Sequence, residues 1–228
     1  FQWAHDNERL PANPAAAVKQ AKPKKQRARE AGYTDAEAVK VLKASRSYHP
    51  NEDQFGRIRE TPESVNAKRW VPLLCAFSGA RVSEITQLRK EDMRQEGGRW
   101  IMRITPDAGT MKAGHYRDVP LHRQVIAEGF IQLVEQAGQG PLFHNGKDPA
   151  KFAAKAVRMT NTVGTWLQEG GFVPAGVQPN YAWRHRFKTQ ARDIGADIRV
   201  VDGIQGHAGR TASDGYGDVS IAAKLRVI

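Results

Sequence analysis

The chain has 228 residues, with 35 lysines and arginines against 24 aspartates and glutamates, so its formal net charge is +11 and its pI is near 9.9. The longest apolar stretch, WVPLLCAF, is far shorter than the ~18 residues that a membrane-spanning helix needs. Cys75 is the one cysteine, which excludes an intrachain disulfide and a multi-cysteine zinc site. These features exclude a membrane protein and a secreted disulfide scaffold, and they indicate a globular protein of a reducing compartment with a polyanionic partner.

The first thirty residues differ in composition from the rest of the chain. Residues 11–29 contain three prolines, six basic side chains and no acid. Such a segment cannot bury enough apolar surface to fold, so we expect a linker or basic arm over 1–30 and one domain over 31–228. The arm would serve equally as a solvated tether or as a surface for a polyanion such as DNA. Its candidate DNA contacts are Lys19, Lys22, Lys24, Lys25 and Arg27.

Helix signals begin directly after this arm. Thr34 and Glu37 form a capping box ahead of apolar residues at helical spacing. Thr61 begins a second helix, with Pro62 in its first turn, and Gly79 ends it. Both segments are therefore predicted to be amphipathic helices that bury one face.

The remainder of the chain alternates strand and helix signals. Two strands are predicted, at 99–105 and 115–121, with a glycine-containing turn region between them. The sequence thus predicts an α+β domain that is mostly helical and has one small antiparallel β-sheet. The helices predicted after the strands cover 122–137, 150–168, 180–194 and 197–205.

Several common catalytic motifs are absent from the sequence. It contains no GxxxxGK[ST] phosphate loop, no HExxH and no GxSxG. None of the seven histidines has ligand spacing with a cysteine or another histidine. These absences argue against a metal enzyme, and we expect no cofactor and no metal site.

Two short segments place basic side chains in distinctive contexts. In GARVSEI, Arg81 follows a glycine turn and Glu84 lies one helical turn later, where it can orient the guanidinium for bidentate phosphate binding. An ordinary surface ion pair would have the same spacing. In TMKAGHYRDVPL, Lys112 lies at a predicted hairpin tip, with Arg117 on the returning strand. A lysine at such a tip is usually just solvated.

Two later segments add hydroxyl and imidazole groups. NYAWRHRFKTQARDIG places Tyr181, Arg184 and Lys188 on one helical face, with an apolar stripe on another. A basic solvated face is the alternative, but it does not account for the phenol. IQGHAGRTASDGYGD separates His207 from Tyr216 by nine residues of small, glycine-rich chain. A lone histidine is more often structural, yet a loop of this composition can deliver Tyr216 to a neighbouring site.

These four segments, in this order, resemble the catalytic domain of the tyrosine recombinases, the phage integrase family. The resemblance covers roughly residues 31–228 and implies that a core-binding domain precedes the arm in a longer protein. It implies two phosphate-clamping arginines, a hairpin lysine, a late histidine, a nucleophile and a supporting acid. These are, in that order, Arg81 and Arg184, Lys112, His207, Tyr216 and Glu84.

One position departs from the family pattern. Tyr181 stands where the family usually has histidine, three residues before the second arginine. His185, on the other side of Arg184, is displaced by about 100° of helix per residue and cannot simply replace it. A phenol can donate a hydrogen bond but carries no charge near neutral pH.

The resemblance also implies a reaction that needs neither metal nor ATP. Tyr216 would attack the scissile phosphate and form a covalent 3′-phosphotyrosyl bond, with Lys112 as the general acid for the leaving 5′-oxygen. The two arginines and the histidine would stabilise the charge that grows on the phosphate. A 5′-hydroxyl from another duplex could then reverse the step, which is strand exchange.

The implied partner is double-stranded DNA in the cytoplasm of a bacterial host, with self-association into a tetramer during synapsis and no membrane. Arg117 and Lys188 are further candidate DNA contacts, and DVSIAAKLRVI resembles the terminal helix that such proteins can pack against a neighbouring subunit. Three alternatives remain open. A type IB topoisomerase uses the same chemistry on one duplex, and a catalytically silent DNA-binding relative would fit Tyr181 and the net charge. A metal-dependent nuclease fits least, since no carboxylate cluster is visible.

Overall fold

The chain forms two compact units, residues 1–30 and residues 31–228. The computed structural model describes residues 1–18, 29–109, 115–207 and 218–228. In the first unit the described residues contain one short helix, α1 (Gln2–Asp6), and none of its side chains is buried. All other helices and strands of the described residues lie in the second unit.

The second unit is mostly helical, with a small antiparallel sheet inserted between its third and fourth helices, as the sequence predicts. Among the described residues, every helix is too short or too polar to span a lipid bilayer. The helices are α2 (Asp35–Arg46), α3 (Pro62–Ser78), α4 (Val82–Thr86), α5 (Arg123–Ala127), α6 (Phe130–Gln136), α7 (Phe152–Glu169), α8 (Tyr181–Asp193), α9 (Ile198–Gln205) and α10 (Ile221–Leu225), and the strands are β1 (Met93–Glu96), β2 (Arg99–Ile104) and β3 (Arg117–Pro120).

The first two helices of this unit begin where their capping residues predict. Thr34 accepts a hydrogen bond from the Glu37 backbone N–H, and the Glu37 carboxylate accepts one from the Thr34 N–H, so the capping box is complete. Thr61 caps α3, and Gly79 ends it with a left-handed φ of 60°. Both predictions are confirmed because these caps satisfy backbone groups through neighbours in sequence.

The sheet has three strands, whereas the sequence pattern predicts two. Its order is β1-β2-β3, and Met102 on β2 pairs with Met93 on β1 and with Val119 on β3. Strand β1 was missed because its sequence, MRQE, offers one apolar residue and no alternation. The Gly97–Gly98 pair that joins β1 to β2 is a two-residue hairpin signal that could have revealed it, since both glycines have positive φ.

The segment predicted as one helix over 122–137 is two helices. Helix α5 ends at Ala127, and Gly129, with a φ of 96°, begins α6. A left-handed residue cannot continue an α-helix, so the chain changes direction there. The prediction of a single helix was wrong at this position.

The core is built around α3, which packs against α2, α4, α7 and α8. Val71 and Leu74 of α3 are almost fully buried, together with Trp183 of α8 and Phe130 of α6. Cys75 is also buried, as expected of a small core residue, and burial raises the pKa of its thiol. Because α3 is held from several sides, its C-terminal end at Gly79 is a rigid support for the residues that follow.

The C-terminal helix α10 packs against β3 and α9 of the same chain. Its anchor is Lys224, which is 6% exposed and donates a hydrogen bond from Nζ to the carbonyl oxygen of Asp118, at 2.7 Å. A buried lysine that binds a strand carbonyl fixes the helix on that strand. The segment resembles a terminal helix that can pack against a neighbouring subunit, and in this structure it packs on β3 and α9 of its own chain.

Candidate active site

Glu84 is a buried carboxylate that binds two arginines from different elements. It is 1% exposed, its Oε1 lies 2.9 Å from Arg81 Nη1, and its Oε2 lies 2.6 Å from Arg117 Nη2. Burial by itself raises the pKa of Glu84, but the bonds from Arg117 and Arg81 lower it overall, so the side chain is ionised. The Arg81–Glu84 pair is therefore not an ordinary surface ion pair. The buried Glu84 carboxylate orients the Arg81 guanidinium, as the sequence predicted.

Arg117 lies inside the protein, which corrects the expectation that it contacts DNA. It is 6% exposed, and besides Glu84 it binds the carbonyl oxygen of Ile204 through Nε at 2.8 Å. A Cβ at Gly206 would lie 2.6 Å from Arg117 Nη1, so this glycine lets the guanidinium pass under the end of α9. Arg117 thus ties β3 to α4 and α9, and its charge reaches the site through Glu84.

Arg184 occupies the centre of the site. It is 4% exposed, and its Nη1 donates to the carbonyl oxygens of Gly79, at 2.8 Å, and Gln205, at 2.6 Å. Its Nη2 is buried and has no hydrogen-bond partner among the described residues. Burial and the nearby charge of Arg81 lower the pKa of Arg184 to about 10, which still leaves it protonated at neutral pH.

The arrangement of these two arginines suits a bound anion. A buried guanidinium N–H without a partner is costly, and an anionic oxygen would satisfy it with a charge-assisted hydrogen bond. Arg81 lies close enough to Arg184 to lower its pKa, and Arg81 is 23% exposed at its side chain. The site therefore combines one buried and one partly exposed guanidinium, and guanidinium groups are well suited to binding a phosphate group.

His207 and Lys188 meet at the carboxylate of Asp202. Asp202 Oδ1 lies 2.9 Å from His207 Nδ1 and 2.5 Å from Lys188 Nζ. The side chain of Lys188 is 18% exposed and is held in this ion pair. Lys188 is therefore not a freely solvated lysine, and its contact with DNA stays a prediction. Asp202 was not predicted, because contact between α8 and α9 depends on packing and leaves no local spacing signal.

Tyr181 is the first residue of α8 and is half exposed. Its ring meets the ring of His185 edge-on, with centroids 4.8 Å apart. Among the described residues its hydroxyl has no hydrogen-bond partner, and Tyr181 is close enough to Arg184 to influence the pKa of that arginine. The phenol therefore stands at the edge of the arginine site with a free donor.

The remaining candidates of the sequence analysis lie outside the described residues, so their roles stay predictions. Around the site, the described part of the chain contains no group of three or more His, Cys, Asp or Glu side chains that could hold a metal ion. The structure brings together Arg81, Glu84, Arg184 and His207, with Tyr181 at the rim. The candidates outside the described residues are Lys112, Tyr216, Lys19, Lys22, Lys24, Lys25 and Arg27.

Comparison with curated proteins finds tyrosine recombinases. The chain is 31% identical over 157 residues to tyrosine recombinase XerD of Mycobacterium tuberculosis, an alignment that covers 66% of this chain and 47% of the relative. Against a XerD of Vibrio vulnificus the identity is 26% over 180 residues, covering 75% of this chain and 56% of the relative. The chain thus spans about half the length of the curated relatives that it matches. No family model matches the chain.

Comparison with solved structures finds the same fold. The integrase of mycobacterium phage Brujita superimposes with a TM-score of 0.58 at 19% identity, over 100% of this chain and 66% of the integrase. The XerH site-specific recombinase bound to its difH substrate superimposes with a TM-score of 0.54 at 20% identity, over 79% of this chain and 48% of XerH. The fold is that of a tyrosine recombinase catalytic domain, and the curated proteins that the chain resembles in sequence are tyrosine recombinases as well.

Proposed function

We propose that this chain is the catalytic part of a site-specific recombinase that cleaves and rejoins double-stranded DNA through a covalent 3′-phosphotyrosyl intermediate. The observation that carries the proposal is the buried Nη2 of Arg184, which lies beside Arg81 and has no hydrogen-bond partner among the described residues. Glu84 supports the same reading, because a buried carboxylate that holds an arginine in place prepares a site before its ligand arrives. A related recombinase, XerH, has been solved bound to its DNA substrate.

The proposed step is an in-line displacement at phosphorus. Tyr216 Oη loses its proton to water and forms a bond to the scissile phosphorus while the bond from phosphorus to the 5′-oxygen breaks, and Lys112 gives the leaving oxygen its proton. Arg81 and Arg184 bind the non-bridging oxygens, where negative charge grows in the transition state. The roles of Lys112 and Tyr216 rest on the family resemblance and on their positions in the chain. When a 5′-hydroxyl from a second duplex attacks the phosphotyrosyl bond, the cleavage step is reversed and the result is strand exchange.

The test is capture of the covalent intermediate. The chain is incubated with nicked duplexes of randomised sequence in excess EDTA, and the products are separated on a denaturing gel. A protein–DNA adduct is expected, because neither step needs a metal, and Tyr216→Phe should abolish it. Tyr116→Phe, which changes an exposed tyrosine that stacks on Arg103, is the matched control and should leave the adduct unchanged.

The outcomes separate the alternatives. An adduct that persists in Tyr216→Phe would place the nucleophile on another residue. Binding of DNA without any adduct would favour a catalytically silent DNA-binding relative, and cleavage that EDTA abolishes would favour a metal-dependent nuclease. An adduct that relaxes a supercoiled plasmid but never joins two duplexes would favour a topoisomerase. Self-association into a tetramer on DNA is part of the proposal and predicts a joint complex of two duplexes.

A further inference from the structure

Asp202 binds His207 through both its backbone and its side chain. The His207 N–H donates to the Asp202 carbonyl oxygen at 3.0 Å, and His207 Nδ1 lies 2.9 Å from Asp202 Oδ1. Between them Gly206 ends α9 in a left-handed conformation, with a φ of 67°. This turn folds the chain back, so that His207 lies against the side chain of a residue five positions earlier.

The carboxylate fixes the tautomer of His207. The pKa of Asp202 is raised by burial but lowered overall by its bonds to Lys188 and His207, so the group is ionised and can only accept hydrogen bonds. Nδ1 of His207 must therefore carry a proton, and Nε2 is the nitrogen left for other partners. An imidazole held in this way has one defined orientation and one defined reactive nitrogen.

Lys188 compensates the charge of this carboxylate. Its Nζ lies 2.5 Å from the same Oδ1, and both side chains are less than one-fifth exposed. The positive charge of Lys188 offsets the negative charge of Asp202 next to a site that must attract an anion. The three groups together carry a charge of about zero when His207 is neutral and about +1 when it is protonated.

His207 is electrostatically coupled to the arginine site. Burial and the charge of Arg184 lower its pKa, with Lys188 acting in the same direction, whereas Asp202 raises it. The backbone connects them as well, because Gln205, two residues before His207, accepts a hydrogen bond from Arg184. A phosphate bound at Arg184 would add negative charge nearby and favour protonation of His207.

We infer that Asp202 is a positioning residue of this recombinase site, which holds His207 with Nδ1 protonated and Nε2 free for the phosphate, while Lys188 keeps the carboxylate from cancelling the positive charge of the site. This inference rests on the proposed strand-cleavage function. When DNA is bound, Asp202 favours the imidazolium, which can donate from Nε2 to a phosphate oxygen. Lys188, Asp202 and His207 form one unit, supplied by α8, α9 and the turn that follows.

The first test reads His207 directly and needs no activity. Histidine ring nitrogens are followed by long-range 1H–15N correlation during a pH titration of the whole chain, and His207→Gln identifies the resonance. In the unchanged chain we expect Nδ1 to be protonated in the neutral ring. In Asp202→Asn and Asp202→Ala we expect a lower pKa of His207, since the negative charge that raises it is gone, and in the Ala variant a mixture of both tautomers. An unchanged pKa and tautomer in both variants would overturn the inference.

The second test measures cleavage. In Asp202→Ala we expect adduct formation to slow by roughly tenfold or more, the size of effect known when the hydrogen-bond partner of a functional histidine is removed from a metal site. In Asp202→Asn the pH at which the cleavage rate falls on the alkaline side of the pH–rate profile should be lower. The reason is that the pKa of His207 is lower in this variant, so the ring loses its proton at a lower pH. A rate and pH profile equal to those of the unchanged chain would overturn the inference.

A matched variant separates positioning from stability. Asp197→Ala removes the N-cap of the same helix α9, where Asp197 Oδ1 accepts from the Arg199 N–H, and it leaves the contact with His207 in place. Asp197→Ala should lower the melting temperature. It should leave unchanged both the alkaline side of the pH–rate profile and the tautomer of His207. If the unchanged chain forms no adduct, the proposed function fails, and the titration still decides whether Asp202 sets the state of His207.

Discussion

At the scale of single residues, the site depends on carboxylates that hold basic groups from within the protein. Glu84 binds two arginines, Asp202 binds a lysine and a histidine, and both carboxylates are at least largely buried. A buried charge is tolerated only when it is paired and hydrogen-bonded, so each carboxylate and its partners depend on one another. Removing one member should therefore cost far more than removing a surface pair.

Glu84→Gln should lower the free energy of unfolding by about 3 to 5 kcal/mol, because Arg117 is left buried without a counter-charge. Urea unfolding of the chain measures this value. Glu96→Gln is the matched control, since Glu96 is an exposed residue that pairs with Arg94, and we expect a loss of about 1 kcal/mol or less. Equal losses in the two variants would contradict a special role for the buried carboxylate.

Tyr181→Phe should slow strand cleavage by raising its activation free energy by about 1 to 2 kcal/mol. This is roughly the contribution of one hydrogen bond to a charged group. The melting temperature should not change, because the hydroxyl has no partner among the described residues and the ring contact with His185 is kept. Single-turnover adduct formation and a thermal melt measure the two quantities. If the rate stays the same, Tyr181 does not act in the site.

At the scale of secondary-structure elements, the end of α3 is where the parts of the site meet. Gly79 supplies a carbonyl to Arg184, and a Cβ there would lie 2.6 Å from Gln205 and 2.7 Å from Phe187. The ends of α3 and α9 and the middle of α8 therefore approach within contact distance of one backbone position. Only a glycine permits this approach, and it also provides the left-handed turn that precedes Arg81.

Gly79→Ala should lower the free energy of unfolding by about 2 to 4 kcal/mol. This is the sum of the cost of a positive φ for alanine and the cost of an overpacked contact. Adduct formation should fall as well, because Gln205 and Phe187 must move. Gly98→Ala provides the comparison: Gly98 has a φ of 73° but no atom within 4 Å of the added Cβ, so we expect a loss of about 1 kcal/mol. Unfolding in urea gives both values, and a loss in Gly79→Ala no larger than in Gly98→Ala would contradict the close approach.

At the scale of the whole molecule, the net charge of +11 predicts how the chain binds DNA. We expect weak binding with little sequence preference and steep salt dependence, because phosphate contacts release counterions. If about six phosphates are neutralised, affinity should fall by about a thousandfold between 50 and 200 mM salt. Fluorescence anisotropy with several unrelated duplexes measures this dependence. Tight, sequence-selective binding at ~0.2 M salt would contradict it.

The sequence was informative wherever the determining interactions are local. The capping box of α2, the end of α3 at Gly79 and the pairing of Arg81 with Glu84 were all predicted, because each joins residues at most four positions apart or requires a single backbone geometry. Strand β1 and the break at Gly129 were missed because a short polar strand and a helix interrupted by one glycine carry little periodicity.

By itself the sequence determined the mostly helical α+β class, the basic character and the order of the segments that resemble the recombinase family. It also supplied the identities of the arginines and the histidine of the site. The tertiary structure alone decided what Arg117, Lys188 and Arg184 bind. Arg117 binds Glu84 in the interior, Lys188 binds Asp202, and Arg184 has one donor without a partner in the part of the chain that the structure describes. The physical reason is that burial and charge pairing depend on contacts between residues 14 to 105 positions apart, and no spacing along the chain encodes them.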